Sequence, residues 1–369
     1  MPTLTLPLLS RLTSRLGPST AGWVGIDVGR RAVKLAQVAW NGDTCHIERR
    51  WVLPTRDPSA NEASEARPAT HFALPSNLHI ARKLFQGRAA AVVLPMADLN
   101  QRTIEVPPGT SAETANMIEQ DLLADLSGCE EGVSFDFWES TVREQRGSDS
   151  KRVSILAAPR KDVVSFADKL LAAGFECRIL DGMPCAMARA VALAEARDSD
   201  EPAAAIDLGH SHPLFVVAVR GRPVFTRSLR GCDLQSLYKP LCEGLSVEAA
   251  QAEQLLLRFG VCLGNGLVPK LSVEQATHRL VAAPLANLVT ELQRTLAYLS
   301  QQFREFVPRR LWLLGGGATF PGIDGHLTRQ LDTAAAPWRL LDAGTSAAPG
   351  DALFGVAVAL SMLSRKEQP

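Results

Sequence analysis

Val24-Gly-Ile-Asp-Val-Gly-Arg-Arg-Ala-Val-Lys34 is the stretch whose reading decides the fold. An apolar run enters an acid at Asp27, crosses Gly29 and leaves in a second strand-like run, Ala32 to Val38. Asp27 is the first residue at which the apolar pattern breaks. Gly29 is able to take a positive φ and so to reverse the chain tightly. Two strands joined by an Asp-x-Gly turn leave a carboxylate and backbone N–H groups at the turn, a geometry suited to a phosphate and its metal ion. An ordinary β-hairpin with an Asp in its turn has the same local pattern, so the rest of the chain must decide between them.

A second copy follows. Ala203 to Leu208 enters Ala-Ile-Asp-Leu-Gly-His-Ser-His, with Asp207 and Gly209 standing where Asp27 and Gly29 stand. Pro213 to Val219 leaves as a strand, Arg220-Gly221 turns, and Pro223 to Leu229 returns, as Thr44 to Val52 returns after the first hairpin. This repeat points to two similar halves facing each other. A third glycine turn, Gly315-Gly316-Gly317-Ala-Thr-Phe-Pro-Gly322, follows the strand Arg310 to Leu314 and precedes a helix from Ile323 to Leu331. A glycine cluster between strand and helix allows close approach of backbone to a ligand, or makes a crossover turn.

Between the copies lies a unit of its own, Gln101 to Gly174. A strand at Thr103 to Val106 is followed by a helix from Ser111 to Leu126, with Ser111 as N-cap and Glu113 in the first turn. Strands at Val133 to Thr141 and Val153 to Ala158 and a helix from Lys161 to Ala173 complete an α+β subdomain. Pro54 to Ser76 reads as an exposed loop, and Leu78 to Phe85 as a short helix before the strand Ala89 to Leu94. Cys177 to Leu180 is a strand and Met183 to Ala196 a helix. Later helices are expected at Leu234 to Cys242, at Val247 to Phe259 capped by Ser246, at Leu285 to Phe306 and at Asp351 to Leu363.

The 369 residues suffice for two or three domains with their own cores. With 39 basic and 39 acidic residues the formal charge is zero, which gives no electrostatic case for nucleic acid or an acidic membrane. Seven scattered cysteines without a C-x-x-C pair read as buried free thiols in a reducing compartment. The six tryptophans share no spacing and read as core. No apolar run reaches the roughly 18 residues of a membrane span. Leu8 to Leu16, with Arg11 and Arg15, is a short basic amphipathic piece; contact with a membrane surface or partner and a loosely ordered leader are both open.

Two facing Asp-x-Gly hairpins and a glycine turn after a strand resemble the actin-like ATPase superfamily over nearly the whole chain. Gly25 to Gly29 with Val33-Lys34-Leu35, the inserted unit and its exit Ala157-Ala-Pro-Arg-Lys161, Arg220 to Arg227, and Leu313 to Gly322 resemble, within it, the PilM family of type IV pilus assembly proteins, which is related to FtsA. The resemblance implies an α/β actin-like ATPase fold of two RNase H-like halves with an inserted small α+β subdomain. The implied division is a leader at 1–21, the first half at 22–100, the insert at 101–175, a return to the first half at 176–200, the second half at 201–345, and a C-terminal helix at 346–369 packing back on the first half.

It also implies ATP with Mg²⁺ as the ligand. The nucleotide and phosphate contacts would be Asp27, Gly29, Arg30, Arg31, Lys34, Asp207, Gly209, His210, Ser211, Glu253, Gly315, Gly316 and Gly317, with Asp27 and Asp207 holding the metal through water. Several positions depart from the family pattern. Arg30 and Arg31 replace small hydroxyl residues, His210-Ser211-His212-Pro213 replaces a Ser/Thr-rich loop, Met183 stands where an acid is expected, and Leu256 where a basic residue is expected. No catalytic base is evident. The expected function is therefore a cytoplasmic scaffold at the inner face of the membrane, with weak or lost ATP binding, no turnover, and a PilN-like inner-membrane partner bound through its cytoplasmic tail. Self-association stays open. An FtsA-like filament former and a sugar or acetate kinase are the alternatives.

Overall fold

Central strands buried on both faces build the first sheet. The computed structural model describes residues 20–42, 44–55, 74–94, 96, 99–125, 131–139, 151–195, 199–210, 213–262, 272–341 and 350–366. Strands β1 (Thr20–Ala21), β2 (Val24–Val28), β3 (Ala32–Asn41) and β4 (Thr44–Pro54) pair antiparallel, with β1, β2 and β4 all on β3. After helix α1 (Leu78–Arg82), β5 (Ala89–Val93) joins β2 in parallel. The chain then leaves the sheet for β6 (Asn100–Val106), α2 (Ser111–Asp125), β7 (Val133–Glu139) and β8 (Lys151–Pro159), a separate antiparallel sheet in the order β6-β8-β7 with its own core around Ile118, Leu122, Val153 and Ile155. Helix α3 (Arg160–Ala172) leads back to β9 (Glu176–Asp181), parallel to β5.

The second half follows helix α4 (Met183–Ala194). Strands β10 (Ala203–Asp207), β11 (Leu214–Val219) and β12 (Arg222–Ser228) are antiparallel. Helices α5 (Leu234–Leu245), α6 (Ala249–Phe259) and α7 (Ser272–Gln302) precede β13 (Arg310–Leu314), α8 (Ile323–Leu331) and β14 (Ala334–Pro337). The order is β12-β11-β10-β13-β14. Leaving aside the two-residue β1, which also pairs with β3, the strand order within each half is third-second-first-fourth-fifth, with three antiparallel strands and two parallel ones. The repeat seen in the hairpins is thus a repeat of whole sheets.

Alternation assigns each face of the first sheet. Val24, Ile26, Val28, Ala90 and Val92 face α1 and α3, meeting Leu78, Ala81, Phe166 and Leu170. Ala36, Val38, Ala91 and Val93 face the other way, into the core that continues through α4 to the second sheet. Helix α9 (Gly355–Ser361), in which every residue is buried, fills that face. It lies against β2, β3 and α4. Its small side chains permit a very close seat: a β-carbon on Gly25 would fall on the carbonyl oxygen of Ala357. Ser361 fixes the seat, its Oγ accepting from Val38 N at 3.0 Å and donating to the Trp23 carbonyl at 2.5 Å.

Several local expectations need correction. Gly29 does not adopt a positive φ. Its requirement for glycine is steric, because a β-carbon there would lie 2.8 Å from the Ala32 carbonyl oxygen, which accepts from Gly29 N. Helix α2 is capped one residue earlier than read: Thr110 and Glu113 exchange hydrogen bonds in a capping box. Ser246 closes α5 in the left-handed region, and Glu248 caps α6. Helix α7 begins at Ser272, passing through Pro284 instead of starting after it. Cys45 and Cys232 are buried as expected, but Cys177, Cys185, Cys242 and Cys262 are only half-buried, and Trp51 is exposed on β4. The leader to residue 19, most of the Pro54 to Ser76 loop and Cys129 lie outside the described residues.

Gly25→Ala is expected to destabilise the chain by about 3 kcal/mol or more, since backbone and not a flexible side chain must give way. Ser361→Ala, which leaves the Val38 N–H and the Trp23 carbonyl without their partner, is expected to cost about 1–3 kcal/mol. Urea unfolding of both variants checks the ranking, and an equal or reversed order would remove the close seat of α9 as the tighter constraint.

Candidate functional site

The ends of β2 and β10 bring two acids into the cleft between the halves. Asp27 stands one residue before the end of β2 and Asp207 is the last residue of β10, and both are buried, at 2% and 7% exposure. Lys34 comes from β3. It is the cross-strand partner of Asp27 in the hairpin register, so its side chain shares the face on which Asp27 lies. Its Nζ donates to Asp27 Oδ2 at 2.8 Å. Burial works against the Lys34 charge, yet attraction to Asp27 and then to Asp207, with the hydrogen bond to Asp27, raises its pKa overall. Burial pushes the Asp207 carboxyl up; Lys34 pulls it down, and Asp27 adds to the upward push. The ammonium is thus hydrogen-bonded to the acid of its own half and attracted at longer range to that of the other. The other Asp27 oxygen, Oδ1, is buried with no hydrogen-bond partner.

The glycine turn after β13 backs this cluster. Asp207 and Leu314 are neighbours in the parallel β10–β13 register. A β-carbon on Gly315, which has φ +81°, would fall on Asp207 Oδ1, so the turn holds that carboxylate from behind. Gly315 N donates to the Ala352 carbonyl and Gly317 N to the Leu208 carbonyl. Gly316 and Gly317 pack against Leu234. Two of the three N–H groups of this turn are thus occupied by backbone, and its glycines answer to packing. A small cavity beside Gly317, of about 10 Å³, is lined by Leu208, Leu234, Leu237, Leu288 and Phe320 and has room for about one water.

A second bridge crosses the cleft nearer the surface. Arg31 reaches from the first turn to Glu253 on α6, with Nη1 and Oε2 3.5 Å apart, and its guanidinium lies 5.8 Å from the ring centre of Tyr238 on α5. His210 packs on the same ring at 6.2 Å. Tyr238 is buried, and burial, then Glu253, pushes its phenol upward against the opposing pull of Arg31. Tyr238 is a cleft residue that sequence pattern did not single out; only its being one of two tyrosines in the chain set it apart.

The remaining expected residues divide. Arg30 is exposed and has no ion pair among the described residues; its carbonyl accepts from Thr55 Oγ1 at 2.5 Å. Gly209 uses its carbonyl to accept from Leu234 N at the start of α5. Ser211 lies outside the described residues. Met183 is buried at the start of α4, beside the Asp181–Arg189 ion pair. Among the described residues there is no cluster of three or more His, Cys, Asp or Glu side chains fit to hold a metal ion.

Comparison with solved structures fits this geometry. The chain is similar to a PilM–PilN type IV pilus biogenesis complex, at 21% identity and a TM-score of 0.70, covering 94% of this chain and 99% of that one. It is also similar to MreB 5 of Spiroplasma citri bound to AMPPNP, at 11% identity and a TM-score of 0.50 over 95% and 98% of the two chains. The fold is that of the actin-like ATPases. The ethanolamine utilisation protein EutJ from Carboxydothermus hydrogenoformans is a further neighbour, at 13% identity and a TM-score of 0.49 over 94% of this chain and 90% of that one. No family model matches the chain, and no curated protein sequence does. Asp27 and Asp207 are the acids of the two equivalent hairpins, and near them stand a buried Lys34 and a cross-cleft Arg31. Among the described residues no helix is long and apolar enough to cross a membrane.

The two bridges differ in burial, and this fixes their relative weight. Lys34 and Asp27 side chains are 12% and 3% exposed, whereas Arg31 and Glu253 are 37% and 38% exposed. Lys34→Met is expected to cost about 3–5 kcal/mol because it strands a buried carboxylate. A double-mutant cycle between Arg31→Ala and Glu253→Ala is expected to give a coupling of no more than about 1 kcal/mol. Chemical unfolding measures both, and a Lys34→Met cost no larger than the Arg31–Glu253 coupling would contradict the burial ranking.

Proposed function

We propose that this chain is a PilM-like scaffold that stands at the inner face of a membrane by holding the cytoplasmic tail of a PilN-like inner-membrane protein. The carrying observation is the full-length likeness to the PilM–PilN complex, which includes the inserted α+β unit and covers nearly all of both chains. The cleft supports a structural use in preference to turnover. Its first acid is engaged by Lys34, two N–H groups of its third glycine turn are bonded to backbone, and its first turn sends Arg31 across to Glu253.

In this reading nucleotide binding is weak or lost. ATP would be met by the cations Lys34 and Arg31 and by the turns at Gly29 and Gly209, with Mg²⁺ held through water by Asp27 and Asp207. The orphaned Asp27 Oδ1 fits such an ion. Magnesium commonly needs only one or two carboxylates when the phosphates supply the rest. The bound nucleotide would supply phosphate charge that joins the halves; this chain's residues would orient it and shield it from water. Hydrolysis needs a positioned water and its base, and the expected acid position is Met183.

The partner tail is assigned to the face of the first sheet covered by α1 and α3. Both helices bury one side against that sheet, and they leave Ile80, Leu84, Val164 and Leu171 exposed. The two elements are tied at one end, where Arg82 Nε donates to the Gly174 carbonyl. Apolar anchors with exposed Lys83, Lys161 and Lys169 around them suit a short peptide carrying apolar and acidic residues.

A synthetic peptide of the cytoplasmic tail of the PilN-like protein from the same organism is the direct probe. Calorimetry with the full chain is expected to show binding that weakens by about tenfold or more in Ile80→Asp/Leu171→Asp. Leu257→Asp, on α6, should leave it unchanged. No binding to the native chain would sink the scaffold reading; binding indifferent to the double substitution would move the groove elsewhere.

A further inference from the structure

We propose that Lys34 is the resident counter-ion of the cleft: its ammonium occupies the buried Asp27 carboxylate that a divalent ion would need, and so keeps such ions out of the nucleotide-free chain. This goes beyond the scaffold reading and does not rest on it, since it concerns only the free cleft.

Asp27 and Asp207 come from equivalent ends of the two repeated sheets and are both buried. Two buried carboxylates that feel each other's charge are stabilised by a positive charge beside them. The chain supplies it from within. Lys34 lies in register with Asp27 on the adjacent strand and donates to Oδ2 at 2.8 Å. A divalent ion bound by both carboxylates would sit within a few Å of that ammonium, and like charges at such separations in a shielded site repel strongly. The ion would also have to compete for Oδ2. Among the described residues no third acid, His or Cys is near enough to compensate.

Asp27 Oδ1 completes the picture. It is buried, lacks a partner, and belongs to the same carboxylate. An acceptor left over in this way marks a place for one more positive or hydrogen-bonding group. With Lys34 present that place is too poor for a metal alone. With Lys34 removed, Oδ1 and the vacated Oδ2 face Asp207 across the cleft, held from behind by the Gly315 turn. The same two acids then form a cation site of hard oxygen ligands, which suits Mg²⁺ or Mn²⁺. The lysine therefore sets the order of events in the cleft. Metal enters only with a group, such as a phosphate, that draws the ammonium away from Asp27.

Mn²⁺ titration of the full chain without nucleotide, followed by electron paramagnetic resonance of free Mn²⁺ and by thermal unfolding, tests this. The native chain is expected to bind no Mn²⁺ stoichiometrically and to show no metal-dependent stabilisation. Lys34→Met is expected to take up one Mn²⁺ per chain at least about a hundredfold more tightly than the native chain. Adding Asp207→Asn should abolish that uptake, and Lys34→Arg, which keeps the charge, should remain metal-free. Stoichiometric Mn²⁺ binding by the native chain overturns the proposal even if Lys34→Met does not fold. Folded Lys34→Met or Lys34→Gln without a gain in Mn²⁺ affinity overturns it as well. Peptide capture by the native chain is unaffected by any of these results, so the two readings fail separately.

Discussion

The carbonyl oxygen of Ala357 occupies the space where a β-carbon on residue 25 would be. Much of the architecture depends on that contact. It lets α9, formed near the chain's end, lie flat on β2 and β3 and reach α4, which in turn packs on the second sheet. One continuous core then runs from the first sheet to the second. Only glycine at 25 and small residues along Gly355 to Ser361 permit this depth. The same strand that accepts the helix carries Asp27 two residues later. Gly25 and Asp27 therefore share a face, and the seat of α9 and the position of the cleft acid are set by one strand.

Two sheets of one topology make the cleft symmetrical in backbone and unsymmetrical in charge. Each first strand ends in an aspartate, but only the first half offers a lysine opposite its acid; the corresponding span of the second half is Leu214 to Val219, without a charge. The positive groups of the site are thus on one side, Lys34 and Arg31, and they reach toward Asp207, Tyr238 and Glu253 on the other. Bridging of this kind draws the halves together without a ligand. The buried Lys34–Asp27 pair lies within the first half; such a pair contributes little net stability over an apolar replacement, yet it penalises any rearrangement that leaves one partner alone. Its effect here is to favour one local arrangement over alternatives.

Sequence alone exposed the frame more fully than the site. The Asp27 and Asp207 hairpins, their repetition and the inserted unit are all written in local alternation and turn residues, which act over a few positions. Even the Asp27–Lys34 pairing follows from register once the hairpin is drawn, because a turn between Val28 and Ala32 places residues 27 and 34 opposite each other. The start of α7 was hidden because Pro284 imitates a first-turn proline, while tertiary packing of Thr277 and Val281 carries the helix back to Ser272. Tyr238 was hidden for a different reason. Its helix reads as an amphipathic core element, and nothing local says that its ring will lie under Arg31, more than two hundred residues away in the chain.

The glycine turn shows why a motif's shape underdetermines its use. Gly315 to Gly317 follow a strand and precede a helix, as a ligand-cradling turn does. The same absence of side chains also allows Asp207 and Leu208 to approach closely, and here that approach uses Gly317 N and the space at Gly315. A glycine tolerated for packing and a glycine kept for a ligand are identical in sequence; they differ in where the amide proton goes. Accounting for those protons separates the two, since a buried N–H must be paired somewhere. In this cleft the account favours the protein itself: Gly29, Gly315 and Gly317 all donate to backbone carbonyls. Of the cations left for an incoming anion, Lys34 and Arg31 are already committed to carboxylates. Any ligand of the cleft must bind well enough to break those commitments, so its affinity measures the difference between two sets of charge contacts.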